Sequence, residues 1–138
     1  LNEGIEVTGL ISATLFVSSS AVDTDFTVKL VDVYPTGEAY NVQEGIVRMR
    51  YRDSLTKPTL IKPEQVYRIE VDLNASSNYF AKGHQIRVEV SSSNFPRYER
   101  NLNTGERNSH GTQFISADNV VFTGGEHASY IELPVIID

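Results

Sequence analysis

The segment Tyr67-Arg68-Ile69-Glu70-Val71-Asp72-Leu73 decides the fold class. Its apolar residues fall at every second position, with Arg68, Glu70 and Asp72 between them. Successive side chains of a β-strand point to opposite faces, so a period of two puts one face in a core and the other in water. A helix needs apolar residues three and four apart, and that spacing is nearly absent from this chain. The alternation returns at Ile86, Val88 and Val90 against Arg87, Glu89 and Ser91. Between the two runs, Asn74 to Gly83 is too polar for a crossover helix, so the two strands are expected to pair as antiparallel neighbours.

Toward the N-terminus, Ile11, Ala13, Leu15 and Val17 alternate with Ser12, Thr14 and Phe16 until the Ser18-Ser19-Ser20 cluster. Phe26, Val28 and Leu30 repeat the pattern, and Pro35-Thr36-Gly37 supplies the turn from which the next strand folds back as a hairpin. That strand carries Val47, Met49 and Tyr51 on one face and Arg48, Arg50 and Arg52 on the other. Three arginines on one face would repel one another, so Glu70, Asp72 and Glu89 are expected across the sheet, making a solvated charged face.

Lys57-Pro58 to Lys62-Pro63 interrupts regular structure, because proline lacks the backbone donor. Asn94 to Asn119 is polar and turn-rich, a long stretch of the kind that is functional or covers another surface. The last strand runs from Tyr130 to Ile137, where Pro134 favours an edge position or a bulge. Some six strands without a long helix predict an all-β fold, a jelly-roll β-sandwich, with residues 1–138 as a single domain.

Apolar residues are 40% of the chain and charged residues 22%, a balance that excludes a disordered segment. Twelve basic against 18 acidic residues give a net charge of −6, so nucleic acid is not an expected partner. No segment approaches the ~20 consecutive apolar residues of a membrane-spanning helix, and no membrane partner is expected. Without cysteine there is neither a disulfide framework nor a thiolate metal site. Leu1 to Val7 lacks the basic and apolar stretches of a signal peptide, and the compartment stays open.

The strand-to-helix turn that exposes a nucleophilic serine is written G-x-S-x-G, and the chain contains none. His84, His110 and His127 could enter a triad only by arithmetic that any serine-rich chain allows. Asp23 and Asp25 supply too few oxygens for calcium and are read as turn or cap acceptors. No catalytic, cofactor-binding or metal-ligating residue is therefore expected. The segment Asn94-Phe95-Pro96-Arg97-Tyr98-Glu99-Arg100-Asn101 mixes aromatic rings, guanidinium groups and amides able to meet a carboxylate or an adjoining domain, and it is read first as bracing the loop itself and second as such a contact. His110, further along the same loop, is read as a solvated loop histidine, and of the three histidines it is the one placed to reach another domain.

Three segments carry a family resemblance: Ser18-Ser19-Ser20-Ala21-Val22-Asp23-Thr24-Asp25-Phe26-Thr27-Val28-Lys29-Leu30, then Gly45-Ile46-Val47-Arg48-Met49-Arg50-Tyr51-Arg52, then Ser91 through Asn94-Phe95-Pro96-Arg97-Tyr98 to Gly105. Together they resemble the C-terminal domain of the X-Pro dipeptidyl-peptidase and cocaine-esterase family of serine hydrolases. The resemblance implies a galactose-binding-like jelly roll packed on an α/β-hydrolase domain of the same polypeptide, which holds the Ser, Asp and His of the catalytic triad. It implies a chain that is inactive alone and a C-terminal fragment of a larger protein acting on peptides, esters or amides. Phe95, Arg97, Tyr98, Arg100, Asn101 and His110 are then candidates for contact with that domain or for the rim of its substrate pocket.

The family's domain usually begins before the point matching Leu1, so a missing strand would leave an open sheet edge or require a partner. Two other readings are a carbohydrate- or peptide-binding module, for which Tyr79 or Tyr98 would be the platform, and a dimerisation domain pairing with its own copy.

Overall fold

The strand Ile5–Ser19 (β1) is 15 residues long and organises half of the molecule, because both of its edges are used. One edge pairs antiparallel with Tyr67–Phe80 (β4). The other pairs in turn with Asn119–Phe122 (β6), Tyr130–Glu132 (β7) and Val135–Ile136 (β8). The second sheet has Asp25–Val33 (β2) between Ala39–Arg48 (β3) and Gln85–Ser91 (β5), again all antiparallel. Two single 3-10 turns, Met49–Tyr51 and Gly125–His127, are the only helical pieces among the residues described, 1–137 of the chain in this computed structural model. The five-stranded and three-stranded sheets form a β-sandwich.

The alternation in the sequence does what strand geometry requires. Val7, Ile11, Ala13, Leu15 and Val17 from β1, Ile69, Val71 and Leu73 from β4, and Phe26, Val28 and Leu30 from β2 all point into one core, closed by Met49, Ile61 and Phe80. Burying a side chain of this size contributes roughly 1.5–3 kcal/mol, and that term holds the two sheets together. The hairpin expected at Pro35-Thr36-Gly37 joins β2 to β3. Tyr34 N–H donates to the Glu38 carbonyl at 2.8 Å, and Gly37, at φ +101°, donates to the Tyr34 carbonyl at 2.9 Å.

Two expectations are corrected. The strands at 67–73 and 86–91 do not pair with each other: β4 pairs with β1, β5 pairs with β2, and they lie in different sheets. The polar residues after Leu73 are also not a loop, since β4 continues to Phe80. The cause is a bulge. Opposite Ile11 of β1, β4 places both Leu73 and Asn74, and Asn74 takes φ +64° with its N–H bonded to Asp72 Oδ1 at 2.7 Å. One extra residue reverses which parity faces inward, so Leu73 is buried before the bulge and Phe80 after it. Only then does the chain cross between sheets, through Ala81 to His84.

The C-terminal run is split at Leu133 and Pro134 into β7 and β8, with Pro134 against Gly9 and its carbonyl accepting from Thr8 N–H at 3.0 Å. On one long side the sandwich is shut by contact between β3 and β4. Gln43 Nε2 donates to the Ala75 carbonyl at 3.0 Å, and at Gly45 there is no room for a Cβ, which would lie 2.1 Å from the Asp72 carbonyl oxygen.

Candidate functional site

The three arginines do not form the expected solvated face. β3 ends at Arg48, and the 3-10 turn at Met49–Tyr51 breaks the period of two, so Arg50 turns inward beside Met49. Arg48 and Arg50 are then met by Asp25 and Asp23, both buried, and not by Glu70, Asp72 or Glu89. Glu70 and Glu89 pair instead with Arg68 and Arg87 on their own strands.

The geometry is specific. Arg48 donates from Nε to Asp25 Oδ1 at 2.9 Å and from Nη2 to Oδ2 at 3.0 Å. Arg50 donates its Nε to Asp23 Oδ2 at 2.7 Å and its backbone N–H to Oδ1 at 2.9 Å. Asn101 reaches in from the long loop and gives Nδ2 to both Asp23 and Asp25, at 2.8 Å each. Each guanidinium also donates to a loop carbonyl, Arg48 Nη2 to Glu99 at 3.1 Å and Arg50 Nη2 to Glu106 at 2.7 Å. Two carboxylates and two guanidiniums cancel in charge, and every oxygen of the two carboxylates accepts at least one hydrogen bond, the condition under which buried ions are tolerated. The hydrogen bond to Asp25 is the largest cause holding the Arg48 guanidinium above its ordinary pKa. Arg52 stays near the surface, bonded to the carbonyls of Met49 and Thr59 and lying 4.6 Å over the Tyr67 ring.

A second anchor fixes the start of the loop. The Glu44 carboxylate accepts from Asn94 Nδ2 at 2.5 Å and from Arg97 Nε at 2.8 Å. Further along, Asn108 Nδ2 donates to the Arg100 carbonyl at 2.7 Å and Ile115 N–H to the Leu102 carbonyl at 3.1 Å. The long polar segment is thus an ordered brace.

Of the residues singled out in the sequence, Phe95 is 72% exposed, Arg97, Arg100 and His110 face solvent, and Tyr98 is half-buried. Arg100 lies 4.8 Å over the exposed ring of Phe114. Asn101 stands apart, because its amide is spent inside the network. Glu44, Asp23, Asp25, Arg48 and Arg50 were not anticipated as parts of one site. A signal existed: Asp23-x-Asp25 and Arg48-x-Arg50 share a two-residue spacing with opposite charge, as facing strand ends would require.

The histidines lie in three separate settings. His84 Nδ1 is 2.8 Å from Asp32 Oδ1, with Tyr34 packed on its ring at 4.1 Å. His127 packs against Phe16 and Phe122, and His110 sits in an exposed turn. Among the described residues no three His, Asp or Glu side chains are grouped to hold a metal ion.

These features define an all-β sandwich domain in which buried ion pairs brace one long loop. Comparison with known proteins gives the family. The model for the X-Pro dipeptidyl-peptidase C-terminal non-catalytic domain matches residues 1–132. Cocaine esterase from Rhodococcus sp. is 54% identical over 138 residues, covering 99% of this chain and 24% of that protein. Among solved structures, an aminopeptidase from a marine sediment Thaumarchaeota archaeon superposes with a TM-score of 0.93 at 32% identity, and an α-amino acid ester hydrolase with 0.89 at 32%; each alignment covers 99% of this chain and 24% of the other. The chain belongs to the X-Pro dipeptidyl-peptidase C-terminal non-catalytic domain family and spans about a quarter of the length of these relatives.

Proposed function

We propose that residues 1–138 form one accessory domain of a serine hydrolase, packing on an α/β-hydrolase domain of the same polypeptide and shaping the rim of its substrate site. Nucleophile, base and orienting acid all lie in that other domain. The observation that supports this reading is the brace itself. The Asp23–Arg50 pair is buried and the Asp25–Arg48 pair partly so, together they fix the 94–118 loop, and such pairs are better suited to specifying one geometry than to adding stability. The loop so fixed presents Phe95, Arg97, Arg100 and Phe114 outward. A preformed surface of aromatic and guanidinium groups suits a neighbouring domain or a polar acyl substrate. Likeness to cocaine esterase, to an α-amino acid ester hydrolase and to an aminopeptidase supports an ester or a peptide as the substrate class.

The test uses the full-length polypeptide. Phe95→Ala and Arg97→Ala each remove an outward side chain, and Glu44, the buried partner of the exposed Arg97, keeps its hydrogen bond from Asn94 Nδ2 in the second variant. Both variants are expected to fold normally and to shift KM or kcat for ester substrates. Unchanged kinetics in both, with unchanged melting, removes the rim role.

A further inference from the structure

The braced arginines border a pocket. It measures about 320 Å³, lies between the 3-10 turn at Met49–Tyr51 and the long loop, and is lined by Arg48, Arg50, Tyr51, Glu99, Arg107 and Ser109 among others. A guanidinium carries donors on Nε and on both Nη nitrogens. Arg48 spends Nε and Nη2 on Asp25 and the Glu99 carbonyl, and Arg50 spends Nε and Nη2 on Asp23 and the Glu106 carbonyl. Nη1 of each is left without a hydrogen bond. Among the described residues, the sealed side-chain atoms that lack a partner are on Asn78, Asn119 and His127, so both Nη1 atoms keep access to solvent beside the pocket. Arg107 is exposed, and its side chain has neither a carboxylate partner nor a hydrogen bond among the described residues.

These donors differ in what they offer. The Arg50 side chain is only 9% exposed and is fixed by Asp23, so a bond at its Nη1 forms in a low-dielectric setting and costs no further ordering. Asp23 and Asp25 already neutralise Arg50 and Arg48, which therefore contribute direction, while Arg107 contributes an uncompensated positive charge. The opposing charge is Glu99. Its carboxylate is 67% exposed and 3.7 Å from Arg48 Nη1, beyond hydrogen-bond distance, so an incoming anion displaces it at small cost. The volume falls within the range of small-molecule sites, and Tyr51 is the aromatic wall.

We propose that this pocket binds a small molecule through an oxyanion group, a carboxylate or a phosphate, received by Nη1 of Arg48 and of Arg50 and by the Arg107 guanidinium. Forked guanidinium donors are suited to both groups. Tyr51 packs on the remainder of the ligand.

The experiment is hydrogen exchange of the full-length polypeptide, read by mass spectrometry on peptides covering residues 99–111. Inorganic phosphate is the probe, titrated at constant ionic strength against sodium chloride. Exchange is expected to slow saturably, by about 10-fold at ten times the half-saturating phosphate concentration. Arg107→Ala is expected to raise that concentration about 10-fold, the equivalent of one charge-assisted hydrogen bond. Glu99→Gln is expected to lower it about 2- to 5-fold by removing the competing charge, a gain that unfolding does not imitate. No saturable slowing overturns the proposal, and so does equal slowing by chloride, which shows screening only. Slowing that is indifferent to both substitutions places the anion elsewhere and overturns it too. Slow exchange without phosphate, unchanged by phosphate but lost in Arg107→Ala, shows the pocket filled by a carboxylate of the same polypeptide and overturns the small-molecule ligand.

Discussion

Asp23 and Arg50 meet in the interior with Nε and Oδ2 2.7 Å apart, and the backbone N–H of Arg50 occupies the other carboxylate oxygen at 2.9 Å. Each ion is the other's replacement for water. Removing one leaves a buried charge without its partner, so Arg50→Ala is expected to lower stability by roughly 3–5 kcal/mol in denaturant unfolding. Replacing both residues by apolar ones of similar volume, as in Asp23→Leu with Arg50→Met, is expected to cost less than the single change. A single-variant cost below about 1 kcal/mol contradicts a buried ion pair at this position.

Asn101 presents one amide nitrogen to two carboxylates, which makes its charge as important as its shape. Asn101→Ala is expected to cost about 1–3 kcal/mol by leaving both acceptors a donor short. Asn101→Asp should be the more damaging change, since it adds a third carboxylate where a donor is needed. Limited proteolysis within residues 94–118 is the second readout. Equal effects of the two substitutions count against the bridge.

Gly45 and Gly37 separate crowding from backbone strain. A Cβ at Gly45 would lie 2.1 Å from the Asp72 carbonyl oxygen, and backbone cannot rotate away as a side chain can. Gly37 has nothing within 4 Å of its Cβ position and only a φ of +101° to penalise substitution. Gly37→Ala is expected to cost about 1–3 kcal/mol. Gly45→Ala is expected to exceed it clearly in thermal unfolding, because the two sheets must move apart.

The bulge at Asn74 gives a fourth contrast. A β-branched residue is poorly accommodated at φ +64°, so Asn74→Val is expected to destabilise by about 1–2 kcal/mol while Asn74→Gly is nearly neutral. If valine is tolerated as well as glycine in denaturant unfolding, the bulge does not lie at residue 74.

The strands of the core were legible because each of Ile11 to Val17, Phe26 to Leu30 and Tyr67 to Leu73 keeps one parity along its length. Where parity changes, reading fails. Asn74 to Phe80 looks like a loop only because the bulge moves the inward positions onto Ser76 and Asn78 before reaching Phe80. The pairing of β4 with β5 was a wrong inference from proximity in sequence, and nothing in two amphipathic strands states which sheet each will join. The arginine run shows the same limit. Arg48, Arg50 and Arg52 alternate as a strand, but a three-residue 3-10 turn re-aims Arg50, and the partners lie far back in the chain, Asp25 at 23 positions before Arg48 and Asp23 at 27 before Arg50.

The close approach at Gly45 makes the sandwich asymmetric, like a book held shut at its spine and parted at its fore-edge. Backbone meets backbone where Gly45 of β3 faces Asp72 of β4, while the far margin, between β5 and the short strands β6 and β7, stands ajar. Thickness can therefore be added at one margin without disturbing the other. Sequence change that tunes what lies in the opening leaves the spine, and the loop anchored beside it, in place.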